Sequence, residues 1–461
     1  MKKVDFVIIG GGSAGYSAAN AASACGLEVV VFDSAETLGG LCINKGCMPS
    51  KGLIAGANRV REARESGRFG YSTGEIAIDW EKFRTRKDVL IDDFQSYRED
   101  GLKSGDFELI RSAVCFTGPK QLVITGGERA GEELEFAYAL IATGSEVAIP
   151  DIPGLDEIDY WTSDETLVME ELPKSVVILG AGIIGVECGH MMKALGVDVT
   201  IVQRSGRILT AFDEDAALEV QASTQEQGID LLLETSMDQV RAGGDGVEWL
   251  SAGGWRTAEK LIIAIGRKPA VTGLELEKCG LQDPDKGLQV DENQCTSVAN
   301  ILAAGDVVKG SEILHRAVVD GERAGRYVAQ SLGREAEPSR VVPQVPLVGV
   351  FSHPEIAQVG MMEAEAREQF AEVYVASHRF DDSGRGLLEA TEHGLAKLIA
   401  VGPERRLVGA AISGPHACEL IHEMVVAISL DARAEAVARM PHYHPTFSEI
   451  WTYPLEELAG W

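Results

Sequence analysis

Two cysteines five positions apart offer the most distinctive chemistry in this sequence. Cys42 and Cys47 lie in the run Gly39-Gly-Leu-Cys-Ile-Asn-Lys-Gly-Cys-Met-Pro-Ser-Lys51. In a straight helix of about 3.6 residues per turn, a five-residue step puts two side chains on different faces. A disulfide also needs Cα atoms within about 7 Å. A bond between the two therefore requires that Cys42 lie outside regular helix, or that the turn between them be distorted. Asn44 and Gly46 are the residues that tolerate such backbone. Pro49 suits the first turn of a helix that runs on beyond it, and free amides at that helix start favour a thiolate. Three chemistries are open to the pair: a structural disulfide, half of a zinc site, or a catalytic dithiol. The other six cysteines are scattered singly, and no second close pair offers zinc its remaining ligands. A second candidate lies near the C-terminus, in Pro441-His-Tyr-His-Pro-Thr-Phe-Ser-Glu449. There His444, with Glu449 five residues on, has the makings of a general acid/base pair; an exposed structural histidine is the plainer alternative.

The elements around these residues are legible from their patterns. Val4-Asp-Phe-Val-Ile-Ile9 predicts a strand, followed by Gly10, Gly12 and Gly15 at G-x-G-x-x-G spacing. An Ala-rich helix is expected over about 14–24, then a strand from Leu27 to Phe32 that ends at Asp33. This is the dinucleotide-binding βαβ pattern. The first glycine makes the turn, the second admits a pyrophosphate, and the third lets helix pack on strand, while Asp33 is placed for a ribose hydroxyl. The cysteine stretch follows directly, so the thiols are expected close to that dinucleotide. Helices are predicted from Cys47 to about Ser66 and from Trp80 to Leu102, then short strands from Phe107 to Ala142, closing in Leu140-Ile-Ala-Thr-Gly-Ser145. A second complete unit begins at Val176, with Gly180, Gly182 and Gly185 after its strand. Its next strand, Asp198 to Val202, ends at Gln203, and Leu261 to Pro269, containing Gly266, closes the domain. Two units imply two dinucleotides, one held and one exchanged. Asn300-Ile-Leu-Ala-Ala-Gly-Asp306 is expected to return the chain to the first domain, with a helix from about Ile313 to Ser331. Pro338, Pro343 and Pro346 mark a last boundary, beyond which strands and helices of α+β type make an interface domain. The expected fold is α/β: two Rossmann-like dinucleotide-binding domains, 1–150 with 270–340 and 151–269, plus a C-terminal α+β dimerisation domain, 341–461.

Composition narrows the setting. The chain has 461 residues, 45% hydrophobic and 25% charged, the balance of a globular protein of about three domains. No stretch approaches the roughly 20 apolar residues of a membrane span, and the two N-terminal lysines run straight into a strand, which does not read as a signal peptide. A formal net charge of −29 argues against nucleic acid or an anionic membrane as partner. A cytoplasmic, thiol-reducing setting is expected, where a close cysteine pair is more often redox-active than structural.

Taken together, these motifs resemble those of the class I pyridine nucleotide–disulfide oxidoreductases over nearly the whole length. The Gly39 to Lys51 stretch is similar to that family's redox signature. The resemblance implies FAD at Gly10, Gly12, Gly15, Asp33, Gly40 and Lys51, with Thr143 and Gly144, Gly305 and Asp306, and His315 completing the site. It implies a nicotinamide coenzyme at Gly180, Gly182, Gly185, Gln203, Arg204 and Gly266. Cys42 would be the interchange thiol exposed to substrate, and Cys47 the thiol facing the flavin. Lys51 would pair with Glu187. His444, oriented by Glu449 and preceding a cis bond to Pro445, would serve the disulfide of the other subunit of a homodimer. Within the family, Tyr16, the His-x-His-Pro spacing at His442 and Leu314-His-Arg-Ala317 resemble dihydrolipoamide dehydrogenase. The chain lacks the C-terminal cysteine pair of mercuric reductase and of large thioredoxin reductases, and Ser17-Ala-Ala-Asn20 replaces an early arginine of glutathione reductase. The implied reaction passes electrons between a small-molecule or lipoyl-bound dithiol/disulfide, the cysteine pair, FAD and NAD(P)(H). The alternative is an NADPH-dependent reductase of another low-molecular-weight disulfide. The coenzyme position departs from the dehydrogenase pattern. Gln203 stands where an acid would hold the ribose 2′-hydroxyl and repel a 2′-phosphate, Arg204 follows it, and Arg207 lies three further on. Arginine donors suit phosphate, so NADPH is expected to be favoured over NADH, although Gly185 is typical of NAD sites.

Overall fold

The computed structural model describes residues 2–244, 246–282, 284, 286–336 and 345–461. The expected boundary at 340/341, with Pro338 and Pro343, lies outside the described residues. The chain divides into two compact units. The first is built from Met1–Gly52, Arg84–Ala148 and Arg267–Val341, the second from Leu53–Phe83, Ile149–Gly266 and Val342–Trp461. Among the described residues no helix is long and apolar enough to cross a membrane.

In the first unit, β1 (Lys2–Ile9), β2 (Val29–Phe32), β3 (Glu108–Ile110), β4 (Val114–Gly118), β5 (Gln121–Ile124) and β6 (Glu133–Ile141) lie in the order β3-β2-β1-β6-β5-β4. β1, β2, β3 and β6 run parallel, and the return strand Ile301–Ala303 pairs in parallel with the end of β6. Val7 and Ile9 enter one core cluster and Phe6 and Ile8 another. The end of β1 is therefore covered on both faces, which is why Phe6 to Ile9 read as an unbroken apolar run rather than an alternation. Helix α1 (Ser13–Ala24) buries Ala14, Ala18 and Ala22, one turn apart. Against them lies the helix Leu314–Ser331, whose Gly321 and Gly325 permit the close approach: a Cβ at Gly325 would sit 2.6 Å from the Ala18 carbonyl oxygen. Small residues on both helices thus hold the return segment beside the first dinucleotide motif.

Among the described residues the second unit contains three sheets. Its parallel sheet has the order Asp230–Leu232, Asp198–Val202, Ser175–Leu179, Lys260–Ile263. An antiparallel meander, Gln239–Gly243, Gly246–Ser251 and Gly254–Ala258, buries Trp249 beside it. The third sheet is antiparallel, in the order Leu347–Val350, Glu355–Gly360, Arg406–Gly414, Leu395–Val401, Val373–Arg379. Helix Glu214–Glu226 is fastened to this sheet by charge as well as packing. Lys397, buried in its strand, meets Asp213 at 3.0 Å, Asp215 at 2.7 Å and Glu363 at 2.8 Å.

Candidate active site

Cys42 and Cys47 occupy two consecutive helices that do not join. Cys42 lies in the short α2 (Leu41–Asn44), and Cys47 opens α3 (Cys47–Arg64). Lys45, with φ −141°, breaks the helical path between them, so the expected distortion is present. The residues that make it differ from expectation. Left-handed backbone falls on Gly39 (φ 119°) and Gly40 (φ 79°), not on Asn44 or Gly46. Asn44 instead donates its amide to the carbonyls of Thr37 and Leu38, at 3.2 and 3.0 Å. Gly46 is required by space, since a Cβ there would lie 3.0 Å from the Leu41 carbonyl oxygen and 3.3 Å from Cys42 Cα.

Both thiols are free, and they are hydrogen-bonded to each other. That bond pulls the Cys47 thiol down to about 7, against the upward push of burial, with help from the Lys51 charge one turn along α3 and from the amide at the helix start. The Cys42 thiol is pushed up by the same hydrogen bond, then by burial. The pair is electronically unequal: Cys42 keeps its proton and donates it toward the Cys47 thiolate.

Around this pair the first unit builds a dinucleotide cradle. Gly10 turns at φ 108°, where a Cβ would collide with the Ala142 carbonyl, and a Cβ at Gly15 would collide with the Gly10 carbonyl. Gly12 is different: the nearest atom to its Cβ position is Gly40 Cα, 3.8 Å away. It begins α1 with no side-chain cap and no acid in the first turn, leaving amides for a pyrophosphate. Asp33 Oδ2 accepts from the Gly11 N–H at 2.8 Å and Oδ1 from the Ala35 N–H at 2.9 Å; each carboxylate oxygen has a further lone pair. Gly144 turns at φ 74° and Gly305 at φ 77°. Asp306 accepts at 2.7 Å from the Ser145 hydroxyl, which in turn accepts from Arg267 Nε at 2.8 Å. Ser145 and Arg267 were not expected, although each adjoins an expected glycine motif. His315 is exposed in the first turn of its helix. Thr143 Oγ1 is buried with no hydrogen-bond partner, and a buried hydroxyl is rarely left so without a ligand or water. The open Gly12 edge, the uncapped amides and this orphaned hydroxyl fit a bound dinucleotide.

The second unit repeats the arrangement. Gly180 turns at φ 108° with its Cβ position blocked by the Ala264 carbonyl, and Gly185 is blocked by the Gly180 carbonyl. Gly182 is open, with nothing within 4 Å of a Cβ, as is Gly266 at φ 120°. Ala181 N–H donates to Gln203 Oε1 at 3.2 Å, the counterpart of the Gly11–Asp33 bond. That contact fixes the amide orientation and leaves the Gln203 NH2 to donate elsewhere. Arg204 is exposed and takes part in no ion pair among the described residues. Arg207 is otherwise engaged: its guanidinium binds the carbonyls of Ile208, Leu209, Thr210 and Phe212 at 2.9–3.3 Å. It closes the loop instead of awaiting a phosphate. Glu187, 5% exposed, accepts from the Phe351 N–H at 2.9 Å. Lys51 and Glu187 belong to different units.

Also in the second unit, His444 Nδ1 meets Glu449 Oε1 at 2.9 Å, and the other Glu449 oxygen accepts from the Thr446 N–H at 2.8 Å. The His444–Pro445 bond is cis. Burial works against the Glu449 carboxylate, but the Thr446 N–H and the His444 ring outweigh it and hold its pKa low. The carboxylate thus keeps a proton on Nδ1 and frees Nε2. The imidazole is 75% exposed. His442 is tied to Glu423 at 2.8 Å and is not available in the same way.

Residues 4–321 match the family described as pyridine nucleotide-disulphide oxidoreductase, and residues 345–454 match its dimerisation domain. The chain belongs to this family. Similar proteins include the mitochondrial dihydrolipoyl dehydrogenase of Pisum sativum, 33% identical over 96% of this chain and 89% of that one. The dihydrolipoyl dehydrogenase of Halobacterium salinarum is 34% identical over 99% and 96%. A solved structure, the HOCl-induced flavoprotein disulfide reductase of Escherichia coli in its Cu(II) complex, superposes with a TM-score of 0.86 at 25% identity, covering 99% of this chain and all of that one. As a member of this family the chain is a FAD-dependent dithiol/disulfide oxidoreductase that also uses a pyridine nucleotide.

Proposed function

We propose that the chain works as a homodimer that exchanges electrons between a dithiol/disulfide substrate of lipoyl type and a pyridine nucleotide, with His444 of the partner subunit serving each Cys42–Cys47 pair. The observation that carries this reading is the His444–Glu449 pair, an oriented and exposed imidazole. In the oxidised enzyme His444 Nε2 takes the proton of one substrate thiol, and the thiolate attacks Cys42 Sγ. Their bond forms as the Cys42–Cys47 bond breaks, leaving Cys47 as thiolate, the state its low pKa favours. The second substrate thiol attacks the substrate sulfur of the mixed disulfide, and its proton passes to Cys42 Sγ as that sulfur leaves. The products are the cyclic disulfide, the Cys42 thiol and the Cys47 thiolate, while the imidazolium holds the proton of the first thiol. FAD, when bound, carries the electron pair between the dithiol and the nicotinamide. Gly10, Gly12, Gly15, Asp33, Gly40, Thr143, Gly144, Gly305, Asp306 and His315 would hold it, with Lys51 at its reactive end.

Support for a dimer comes from the dimerisation domain and from its exposed apolar side chains, among them Leu387, Leu430, Met440 and Tyr443. Support for the lipoyl-type substrate comes from the two dihydrolipoyl dehydrogenases described above. Reduction of a different low-molecular-weight disulfide is the second reading, favoured by the coenzyme position. There Gln203 presents amide donors in place of a carboxylate, and Arg204 is free to meet a 2′-phosphate, whereas Arg207 is not. On this basis NADPH is favoured over NADH by about ten- to a hundredfold in kcat/KM, the worth of one phosphate–arginine contact. Assaying lipoamide, dihydrolipoamide and glutathione disulfide with each coenzyme tests both points. Turnover of lipoamide alone supports the first reading. Turnover of glutathione disulfide alone sinks it, and equal or better use of NADH sinks the coenzyme preference.

A further inference from the structure

We infer that Glu234 is a second determinant of coenzyme choice, a carboxylate beside the Gln203–Gly206 loop that penalises a ribose 2′-phosphate and restrains the NADPH preference. This rests on the reading that the 2′ substituent lies at Gln203 and Arg204.

The segment that carries Glu234 is laced to that loop. Val202 pairs with Leu232 at the ends of their parallel strands. Beyond them Gln203 N–H donates to the Leu232 carbonyl at 2.9 Å, Thr235 N–H to the Gln203 carbonyl at 3.0 Å, and Glu234 N–H to the Ser205 carbonyl at 3.1 Å. These bonds extend the pairing past the sheet and hold residues 232–235 against 203–205. Glu234 itself takes a left-handed backbone, φ 49°, uncommon for a residue with a long side chain. That turn brings the side chain over the loop: its Cγ and Oε1 lie 3.9 Å from where a Cβ of Gly206 would stand. The side chain is exposed and makes no ion pair among the described residues, so its negative charge is not cancelled by a neighbour.

The first unit supplies the contrast. There the strand beside β2 is β3, with Phe32 paired to Ile110. The next residue is Arg111, whose guanidinium binds the carbonyls of Ala35 and Glu36 in the loop after Asp33. Thus one repeat places a cation from the neighbouring strand over the loop that follows an acid. The other places an anion over the loop that follows an amide and an arginine. By register Arg111 matches Leu233 and Glu234 lies one residue further on, so charges of opposite sign come from adjacent positions of the same segment. A 2′-phosphate arriving at Gln203 and Arg204 would meet attraction from Arg204 and repulsion from Glu234. A 2′-hydroxyl carries no net charge and would respond to both far less.

The test uses flavin-loaded enzyme and two readouts: dissociation constants for NADP+ and NAD+, and KM and kcat for NADPH and NADH with an artificial electron acceptor. One partly screened charge at loop distance changes the affinity for a phosphate by about three- to tenfold. Glu234→Gln is expected to tighten NADP+ and lower the KM for NADPH by that factor. kcat should not move, and NAD+ and NADH should change by less than about twofold. Glu234→Asp, which keeps the charge, should behave as the unmodified enzyme. Parallel changes for both coenzymes, or unchanged NADP+ affinity in Glu234→Gln, would overturn the inference. Gln203→Glu in the same series locates the 2′ group independently. If it leaves NADP+ binding unaltered, the Gln203–Arg204 reading fails whatever Glu234 does. If it weakens NADP+ while Glu234→Gln has no effect, only the inference about Glu234 fails.

Discussion

The inequality of Cys42 and Cys47 follows from three neighbours acting on one sulfur. Cys47 gains a hydrogen bond from Cys42, the charge of Lys51 and an amide at the start of α3. In the reduced enzyme, ultraviolet titration should therefore show one thiolate appearing near pH 7, well below the ordinary thiol range. Cys42→Ala should move that midpoint up, because the largest of the three causes is removed, and Lys51→Ala should move it up by less. A midpoint at the ordinary thiol value in the unmodified protein would contradict this account of the pair. His444 is argued on different grounds, since its contribution is orientation. Glu449→Ala should leave the flavin in place yet cut kcat by about ten- to a hundredfold, and His444→Ala by about a hundred- to ten-thousandfold. If Glu449→Ala turns over dithiol as fast as the unmodified enzyme, the carboxylate does not orient the ring.

At the scale of elements, the two glycine motifs make opposite demands at successive positions. Gly185→Ala forces a Cβ onto the Gly180 carbonyl and should unsettle the parallel sheet of the second unit, whereas Gly182→Ala has open space. The second variant should fold with full flavin content and lose only nicotinamide affinity; equal loss of stability in both, read by thermal unfolding, would refute the assignment. Such motifs are legible in sequence because each glycine answers to local geometry. The strand ends at Asp33 and Gln203 and the break between Cys42 and Cys47 are legible for the same reason. What escaped the sequence depends on hydrogen-bond and charge partners, near or far, that no motif names. Arg207 is four hydrogen bonds deep in its own loop, and neither its composition nor its position reveals that. Nor does any local pattern reveal that Lys397 meets Asp213, Asp215 and Glu363, or that Arg267 sets Asp306 through Ser145. Lys397→Met would leave the buried Asp213 without its cation, and should cost about 3–5 kcal/mol in denaturant unfolding. A loss under about 1 kcal/mol would mean that the network is no more than a surface contact.

For the molecule as a whole, a formal charge of −29 on each chain means self-repulsion that salt relieves. The thermal midpoint should rise as ionic strength goes from about 0.01 M to 0.15 M, where the screening length shrinks from about 30 Å to 8 Å; a flat response would show that the acids are already compensated locally. The central claim is that each working site draws its dithiol from one chain and its imidazole from the other. It is tested most directly by purified mixed dimers of His444→Ala and Cys42→Ser chains, each of which should be nearly inactive as a homodimer. One of the two sites in the mixed dimer would pair an intact cysteine pair with an intact histidine. About half the activity of the unmodified dimer should return. A mixed dimer as inactive as its parents would contradict the shared site.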